Sequence, residues 1–254
     1  MDFTINKYKE LVSALKDAGY EFMTFAEYAE GRRADKLVMM RHDVDRQVER
    51  ARRLAEVESE MRVRASYYFR EKFIDDRDEI RYIESLGHEV GYHYEELVAE
   101  KGDVDKAYAR FARNVKKMRQ VVDVRTITMH GSPMSRFDSK DMWRVYDYKK
   151  LGLIGEPQID VDWNEMVYLT DTGRSWNGVS RRDKVLEMVS EWKAKGWVYD
   201  KTDDVIGALK EGRFPSCVIM TTHPQRWTDN VWEWMRELVV QRVKNCVKMV
   251  LLRR

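Results

Sequence analysis

The sequence predicts an α/β fold, a distorted (β/α) barrel with about seven mainly parallel strands. Helical and strand-like segments alternate along its 254 residues, and such alternation is typical of parallel strands joined by right-handed crossovers. A length of this order suits one barrel of about 250 residues. The sequence contains neither a dinucleotide-binding glycine motif nor a phosphate-binding loop, either of which would favour an open doubly wound sheet.

The strands are predicted from short apolar runs, several of which end in polar residues. They cover 36–45, 65–70, 88–94, 124–131, 151–156, 166–173 and 216–224. We expect the repeat to be imperfect between 151–156 and 166–173, because no helical pattern separates these two segments.

The helices are predicted where apolar residues recur every three or four positions. They cover 5–18, 24–30, 46–60, 76–86, 103–121, 138–147, 180–195, 202–211 and 228–244. No stretch rich in proline, glycine or serine interrupts the chain. We therefore expect 1–254 to form a single domain, with 1–35 as an N-terminal helical extension of the barrel.

Composition argues against several classes of protein. The 46 basic and 44 acidic residues leave a net charge of +2, which gives no general attraction to nucleic acid. No apolar run approaches the roughly 18 residues that cross a bilayer, and the N-terminal segment lacks the apolar core of a signal peptide. The cysteines, Cys217 and Cys246, are too few for a disulfide framework. We expect a cytoplasmic protein with reduced thiols, no nucleic-acid partner and no membrane span.

Acidic side chains end the first long strand, where parallel α/β folds place their active sites. Asp43 and Asp45 stand two residues apart in an extended segment, so they point to the same side. Two such carboxylates repel each other unless a cation or a shared proton relieves them. One can then bind a metal while the other accepts a proton. The alternative is that Asp45 only caps the following helix.

Four of the five histidines also lie at predicted strand ends. His93 and His130 are candidate metal ligands, because neutral imidazole suits zinc and similar ions; substrate contact and a structural role remain alternatives for His130. His223 ends the strongest strand and is a candidate general acid for a leaving amine. His42 and His88 face the opposite way and are predicted to be structural.

Five short patches resemble the polysaccharide deacetylase family (NodB homology, carbohydrate esterase family 4), over roughly residues 36–230. The patches are 41–45 (RHDVD), 87–93 (GHEVGYH), 129–133 (MHGSP), Asp171 with Trp176, and 222–224 (THP). The resemblance implies a distorted barrel and the metal-dependent removal of acyl groups, usually acetyl, from N-acetylated sugars. It also implies that Asp43 is the base, that Asp45 and His93 bind the metal, and that His223 is the acid.

The chain departs from the family pattern in two places. Leu97 stands where the family has its second metal histidine, so we predict His130 as the third ligand, with Glu95 in reserve. The arginine of the family's groove wall is also missing, and Arg136 or Arg174 is expected to replace it.

The leading hypothesis is a metal-dependent hydrolase, with zinc as the expected ion. It removes an acyl group from a carbohydrate. The expected cytoplasmic location favours a sugar precursor, nucleotide-linked or lipid-linked, as the substrate. Substrate contacts are predicted for Asp171, Arg174, Trp176 and Trp227, although both tryptophans also suit a core position. The alternatives are a deformylase-like hydrolase of a small molecule and a catalytically degenerate carbohydrate-binding or scaffold protein.

Overall fold

The computed structural model describes residues 1–132, 135–177 and 187–252. In this part of the chain seven strands form one sheet in the order β5-β4-β3-β2-β7-β6, with β1 also paired to β2. Every pairing of these strands is parallel, and helices connect most of them, so the predicted distorted (β/α) barrel is confirmed. The strands are β1 (Glu21–Phe22), β2 (Leu37–Val44), β3 (Ser66–Phe69), β4 (Glu89–Tyr94), β5 (Ile127–Met129), β6 (Val167–Thr170) and β7 (Cys217–Thr222).

The central strand of the sheet is β2. All eight of its residues are buried, which is typical of a parallel strand covered on both faces. Its carboxyl-terminal half pairs with β3 and nearly its whole length pairs with β7. The residues that follow β2 therefore lie at the middle of the edge where the other strands end.

The helices lie mainly between the strands. They are α1 (Ile5–Asp17), α2 (Phe25–Ala29), α3 (Val48–Glu60), α4 (Arg77–Ser85), α5 (Glu96–Ala99), α6 (Val104–Met118), α7 (Pro157–Asp160), α8 (Val189–Ala194), α9 (Thr202–Lys210) and α10 (Val231–Leu252). The apolar spacing that predicts α6 corresponds to a row of buried side chains that includes Ala107, Phe111 and Val115. Asp103 accepts a hydrogen bond from the Lys106 N–H at 3.1 Å, which caps the start of this helix.

Two predicted elements differ from the structure. Segment 138–147 contains a 3-10 helix at Ser139–Arg144 instead of an α-helix, and a second 3-10 helix follows at Tyr148–Leu151. Asp138 and Asp147 each accept the N–H two residues further on, and such local bonds compete with the α-helical pattern.

The predicted strand 151–156 is wrong. Only an isolated bridge from Gly155 to Thr126 forms there, because residue 152 already turns the chain with a φ of 72° and α7 begins at 157. The amino-terminal part of the predicted helix 180–195 lies outside the described residues, which resume at 187.

The N-terminal segment packs into the same core as the sheet. Its strand β1 pairs with the start of β2, which the sequence did not predict. The Phe3 and Tyr8 rings lie 5.1 and 5.2 Å from the Trp227 ring, centroid to centroid. The structure also bears on the predictions for the cysteines and for membrane-spanning helices. Cys217 is a free thiol, whereas the Cys246 side chain lies outside the described part. None of the described helices is both long and apolar enough to span a bilayer.

Candidate metal centre

Three ligand atoms converge where β2, β4 and β5 end. Asp45 Oδ1 lies 3.1 Å from His130 Nδ1 and 3.7 Å from His93 Nε2. The two ring nitrogens are 3.3 Å apart, and all three atoms lie within 4.8 Å of one another. The structure thus brings together the three residues predicted as metal ligands, although they are widely separated in the sequence.

The protonation of His93 suits a metal ligand. Its Nδ1 lies 3.0 Å from the Thr128 carbonyl oxygen. Since a carbonyl only accepts hydrogen bonds, Nδ1 carries the ring proton and the Nε2 lone pair faces the cluster. Burial lowers the pKa of His93 to about 4, so the ring is neutral at physiological pH.

Asp45 supplies an oxygen that the protein itself does not satisfy. Its Oδ1 is buried and makes no hydrogen bond of acceptable geometry within the described part of the chain, even though His130 Nδ1 is near. Burial alone would raise the pKa of this carboxyl, but the neighbouring imidazoles hold it below its usual range. An ionised, unpartnered oxygen beside two imidazole nitrogens is a donor set that fits a divalent transition ion.

Asp45 does not cap α3. The N-cap position of this helix is Gln47, in a left-handed conformation and with no side-chain cap. The interpretation of Asp45 as a capping residue therefore does not apply.

Asp43 borders the cluster and is held by Arg41. The guanidinium donates one hydrogen bond of 2.8 Å to each carboxylate oxygen, and both side chains are buried. Burial tends to raise the pKa of Asp43, but the Arg41 charge outweighs it and the pKa is lowered. Asp43 Oδ2 lies 3.7 Å from His93 Nε2, so this ionised carboxylate faces the same space as the metal ligands.

Arg41 is a site residue that the sequence reasoning missed. The signal was present, because Arg41 stands two residues before Asp43 in an extended strand and so points to the same side. The two arginines that were expected to replace the groove-wall arginine of the family both contact aromatic rings. Arg136 lies 4.7 Å from the Phe137 ring centroid, and Arg174 lies between the rings of Phe3 and Trp234.

His223 is held from behind by Asp171. Its Nδ1 lies 2.6 Å from Asp171 Oδ1, and its backbone N–H donates to Oδ2 at 2.9 Å. Arg226 also contacts Oδ1, and Trp227 Nε1 donates to Oδ2 at 2.9 Å. Burial tends to raise the pKa of Asp171, but Arg226 and His223 lower it to about 2. His223 Nε2 is left facing the cluster, 3.8 Å from Asp45 Oδ2.

Three predicted substrate contacts are buried instead. Asp171 is 0% exposed, and Trp176 and Trp227 are each 1% exposed. Trp176 donates from Nε1 to Thr202 Oγ1 at 2.9 Å. These side chains have no surface to offer a sugar, and their polar atoms are already engaged. Arg174 is only partly buried and lies beside Phe3.

Leu97, which replaces the second metal histidine of the family pattern, and Glu95, the reserve ligand, differ in environment. Leu97 is buried in the hydrophobic core. Glu95 is not one of the three clustered ligands, but its Oε2 lies 3.8 Å from His130 Nε2. Residue 133, in the patch 129–133, lies outside the described part.

His42 and His88 take part in a buried network around Glu58. Glu58 Oε1 lies 2.9 Å from His42 Nε2, and Glu58 Oε2 accepts from Tyr67 at 2.6 Å. His88 Nε2 lies 3.0 Å from the Ala55 carbonyl oxygen. His42 alternates with Arg41 and Asp43 along β2, so it faces the opposite side of the sheet. Both histidines have the structural environment predicted for them.

Comparisons with known proteins returned similar structures only. No family model and no curated protein matches the chain. A wild-type family 4 pseudoenzyme from Bacillus anthracis matches with 12% identity and a TM-score of 0.43, over 84% of this chain and 63% of its own. This chain thus spans less than two thirds of that protein.

Two further structures cover more of their own length. A family 4 carbohydrate esterase from Streptomyces lividans, in complex with acetate, has 13% identity, a TM-score of 0.47, and coverage of 84% and 91%. The catalytic domain of a peptidoglycan N-acetylglucosamine deacetylase from Eubacterium rectale has 16% identity, a TM-score of 0.46, and coverage of 84% and 87%. The pseudoenzyme and the Streptomyces lividans esterase are described as members of family 4, the family that the sequence patches resemble.

Proposed function

We propose that this protein is a metal-dependent hydrolase that removes an acyl group, with N-acetyl as the first candidate, from a carbohydrate or a sugar precursor. The observation that carries the proposal is the convergence of Asp45, His93 and His130 within 4.8 Å, next to two further groups. One is a carboxylate held by an arginine, and the other is an imidazole held by a carboxylate. This combination provides metal ligands, a base and an acid at the edge of the sheet where the strands end.

The metal would be held by Asp45 Oδ1, His93 Nε2 and His130 Nδ1. Three protein ligands of this kind are typical of catalytic zinc, which keeps a further position for water or substrate. A bound zinc ion would supply Lewis acidity, which lowers the pKa of water toward about 7 and polarises an acyl carbonyl.

Asp43 acts as the general base in this proposal. It is ionised well below neutral pH because Arg41 outweighs the effect of burial. The bidentate pairing also fixes the direction of the carboxylate, since two parallel hydrogen bonds allow little rotation. Asp43 thus accepts the proton that the attacking water loses.

His223 acts as the general acid. Asp171 accepts the hydrogen bond from Nδ1–H and so fixes the ring with Nε2 toward the cluster. In the protonated ring, Nε2–H donates to the leaving nitrogen as the acyl carbon–nitrogen bond breaks, and the amine leaves neutral.

The finer substrate proposal is a nucleotide-linked or lipid-linked sugar. Arg46 and Lys72 are exposed beside the site. Burial, followed by the charges of Arg70 and Arg46, lowers the pKa of Lys72. Exposed cations near Asp45 suit an anionic phosphate group on the substrate.

The test is zinc binding together with acetate release. Metal-free protein is titrated with zinc and assayed on N-acetylglucosamine oligosaccharides and on a nucleotide-linked N-acetylhexosamine. We expect one zinc per chain, acetate release that depends on it, and loss of zinc binding in His93→Ala. The control Asp203→Asn removes an exposed carboxylate that pairs with Lys7 and should change neither result.

Other results would refute the proposal. A protein that takes up no stoichiometric zinc favours the binding or scaffold alternative. Zinc-dependent release of formate from N-formyl substrates, without release of acetate, favours the deformylase-like alternative.

A further inference from the structure

The two ring nitrogens of His130 face different partners. Nδ1 lies 3.1 Å from Asp45 Oδ1 and 3.3 Å from His93 Nε2. Nε2 lies 3.8 Å from Glu95 Oε2. A neutral imidazole that binds a metal through one nitrogen carries its proton on the other. In this arrangement Nδ1 is the nitrogen that faces the other two candidate ligands, and Nε2 is the nitrogen that faces a carboxylate.

Glu95 is itself fixed in place. It follows the last residue of β4, and its Oε1 accepts a hydrogen bond of 3.0 Å from Arg70 Nε and another from Arg70 Nη2. Arg70 thus holds one oxygen of the carboxylate, and the other oxygen is the one nearest His130. The Glu95 side chain is 26% exposed, so it lies at the rim of the site and not in the core.

We propose that Glu95 is a positioning residue, whose carboxylate charge 3.8 Å from His130 Nε2 favours the ring proton on that nitrogen and thereby selects Nδ1 as the ligand nitrogen. Carboxylates that orient a metal-bound imidazole in this way fix its tautomer and increase its basicity. The inference rests on the proposed function only in requiring that Asp45, His93 and His130 bind a divalent ion.

With Glu95 in this role, the two histidine ligands are opposite tautomers: one is protonated at Nδ1 and the other at Nε2. His93 donates a hydrogen bond from Nδ1–H to the Thr128 carbonyl oxygen and presents Nε2. His130 keeps its proton on Nε2, toward the Glu95 carboxylate, and presents Nδ1. Each ring is therefore oriented from behind, one by backbone and one by a side chain. Glu95 acts behind His130, because its free oxygen faces the ring nitrogen on the side away from Asp45.

The experiment compares zinc affinity in matched variants. Metal-free wild type, Glu95→Gln, His130→Ala and Glu100→Gln are titrated with zinc against a competing chelator. Glu100 is the control because its side chain is also 26% exposed and also pairs with an arginine, Arg110. We expect Glu95→Gln to weaken zinc binding about 10- to 100-fold, His130→Ala to weaken it further, and Glu100→Gln to leave it unchanged.

The second readout is the tautomer of His130. Long-range ¹H–¹⁵N spectra of the zinc-loaded wild type should show His130 protonated at Nε2 and His93 protonated at Nδ1. Glu95→Gln should weaken or redistribute the Nε2 proton signal of His130 while the His93 signal stays unchanged. A purely structural role for Glu95 would not alter one imidazole selectively.

Three results would overturn the inference. One is His130 bound to zinc through Nε2. The second is a zinc affinity of Glu95→Gln equal to that of Glu100→Gln. The third is a loss of zinc in Glu95→Gln as complete as in His130→Ala, which would make Glu95 a ligand. If instead the affinities and tautomers are as expected but the protein deacylates no sugar, the proposed function fails and this inference stands.

Discussion

Arg41 donates two hydrogen bonds of 2.8 Å to Asp43, one to each oxygen of its carboxylate. Both side chains are buried, and burial alone would favour a neutral Asp43. Arg41 therefore keeps the carboxylate charged and fixes its direction. A base with such a low pKa binds protons weakly, so it needs an acidified water as its partner. A divalent ion bound by the adjoining Asp45, His93 and His130 would acidify a water in this way.

Asp43→Asn should retain zinc but lose turnover. The amide cannot accept a proton, and a positioned base contributes about 10²- to 10⁴-fold to rate. The buried Arg41 also loses its counter-charge, so the variant should be less stable by about 3–5 kcal/mol. Zinc content and acetate release are measured on protein shown to be folded by circular dichroism. A folded variant with wild-type turnover would remove Asp43 as the base.

Asp171→Asn should slow the reaction without releasing zinc. The substitution keeps the size of the side chain but removes the charge that Arg226 and the His223 ring share. His223 is then no longer fixed in one tautomer, and we expect turnover to fall about 10²- to 10⁴-fold. Steady-state kinetics and metal analysis check this together. Zinc loss that parallels the loss of rate would instead mean that Asp171 supports the metal ligands.

Glu156→Gln should change how stability depends on pH. Burial raises the pKa of Glu156 to about 7 from 4.5, so the folded protein binds an extra proton between these values. Wild-type stability therefore falls as pH rises from about 4.5 to about 7. The amide that replaces the Glu156 carboxyl cannot titrate, so the variant should lack this loss, a difference of at most about 3 kcal/mol.

Urea unfolding of wild type and Glu156→Gln, at pH 5 and at pH 8, checks the prediction. Met129 N–H donates to Glu156 Oε1 at 3.1 Å, and the amide oxygen can accept the same bond. The variant should therefore gain stability relative to wild type at the higher pH. A stability difference that does not vary with pH would show that Glu156 is ionised throughout.

Gly91→Ala should destabilise the fold. An added Cβ would lie 2.3 Å from the Tyr68 ring and 2.8 Å from the Thr126 carbonyl oxygen, and Tyr68 is fully buried with its hydroxyl 3.0 Å from Thr126 Oγ1. Overpacking of this kind typically costs about 1–3 kcal/mol. Thermal unfolding measures it.

The matched control for this prediction is Gly207→Ala. Gly207 lies within α9, and nothing in the described part of the structure lies within 4 Å of an added Cβ there. Alanine in a helix should stabilise by about 0.5–1 kcal/mol. Equal effects of the two substitutions would contradict the close approach of Tyr68 to β4.

The apolar runs predicted most of the sheet, because a parallel strand buried on both faces must be apolar over most of its length. They failed at 151–156, where an apolar run is ended by a glycine turn and the start of α7. They also missed β1, which has only two residues and is held by pairing with β2. At the site, the two-residue spacing that relates Asp43 to Asp45 also relates Arg41 to Asp43, so strand alternation alone places Arg41 on the same side.

The sequence by itself determined an alternating parallel fold and the collection of carboxylates and imidazoles after its strands, since periodicity reports which side of the local backbone is buried. Only the tertiary structure decided which of these groups meet. Strand order brings Asp45, His93 and His130 together, turns Asp171 inward toward His223, and buries Trp176 and Trp227. Such contacts join residues distant in the sequence, so they depend on register and on the direction of each ring, which no local pattern encodes.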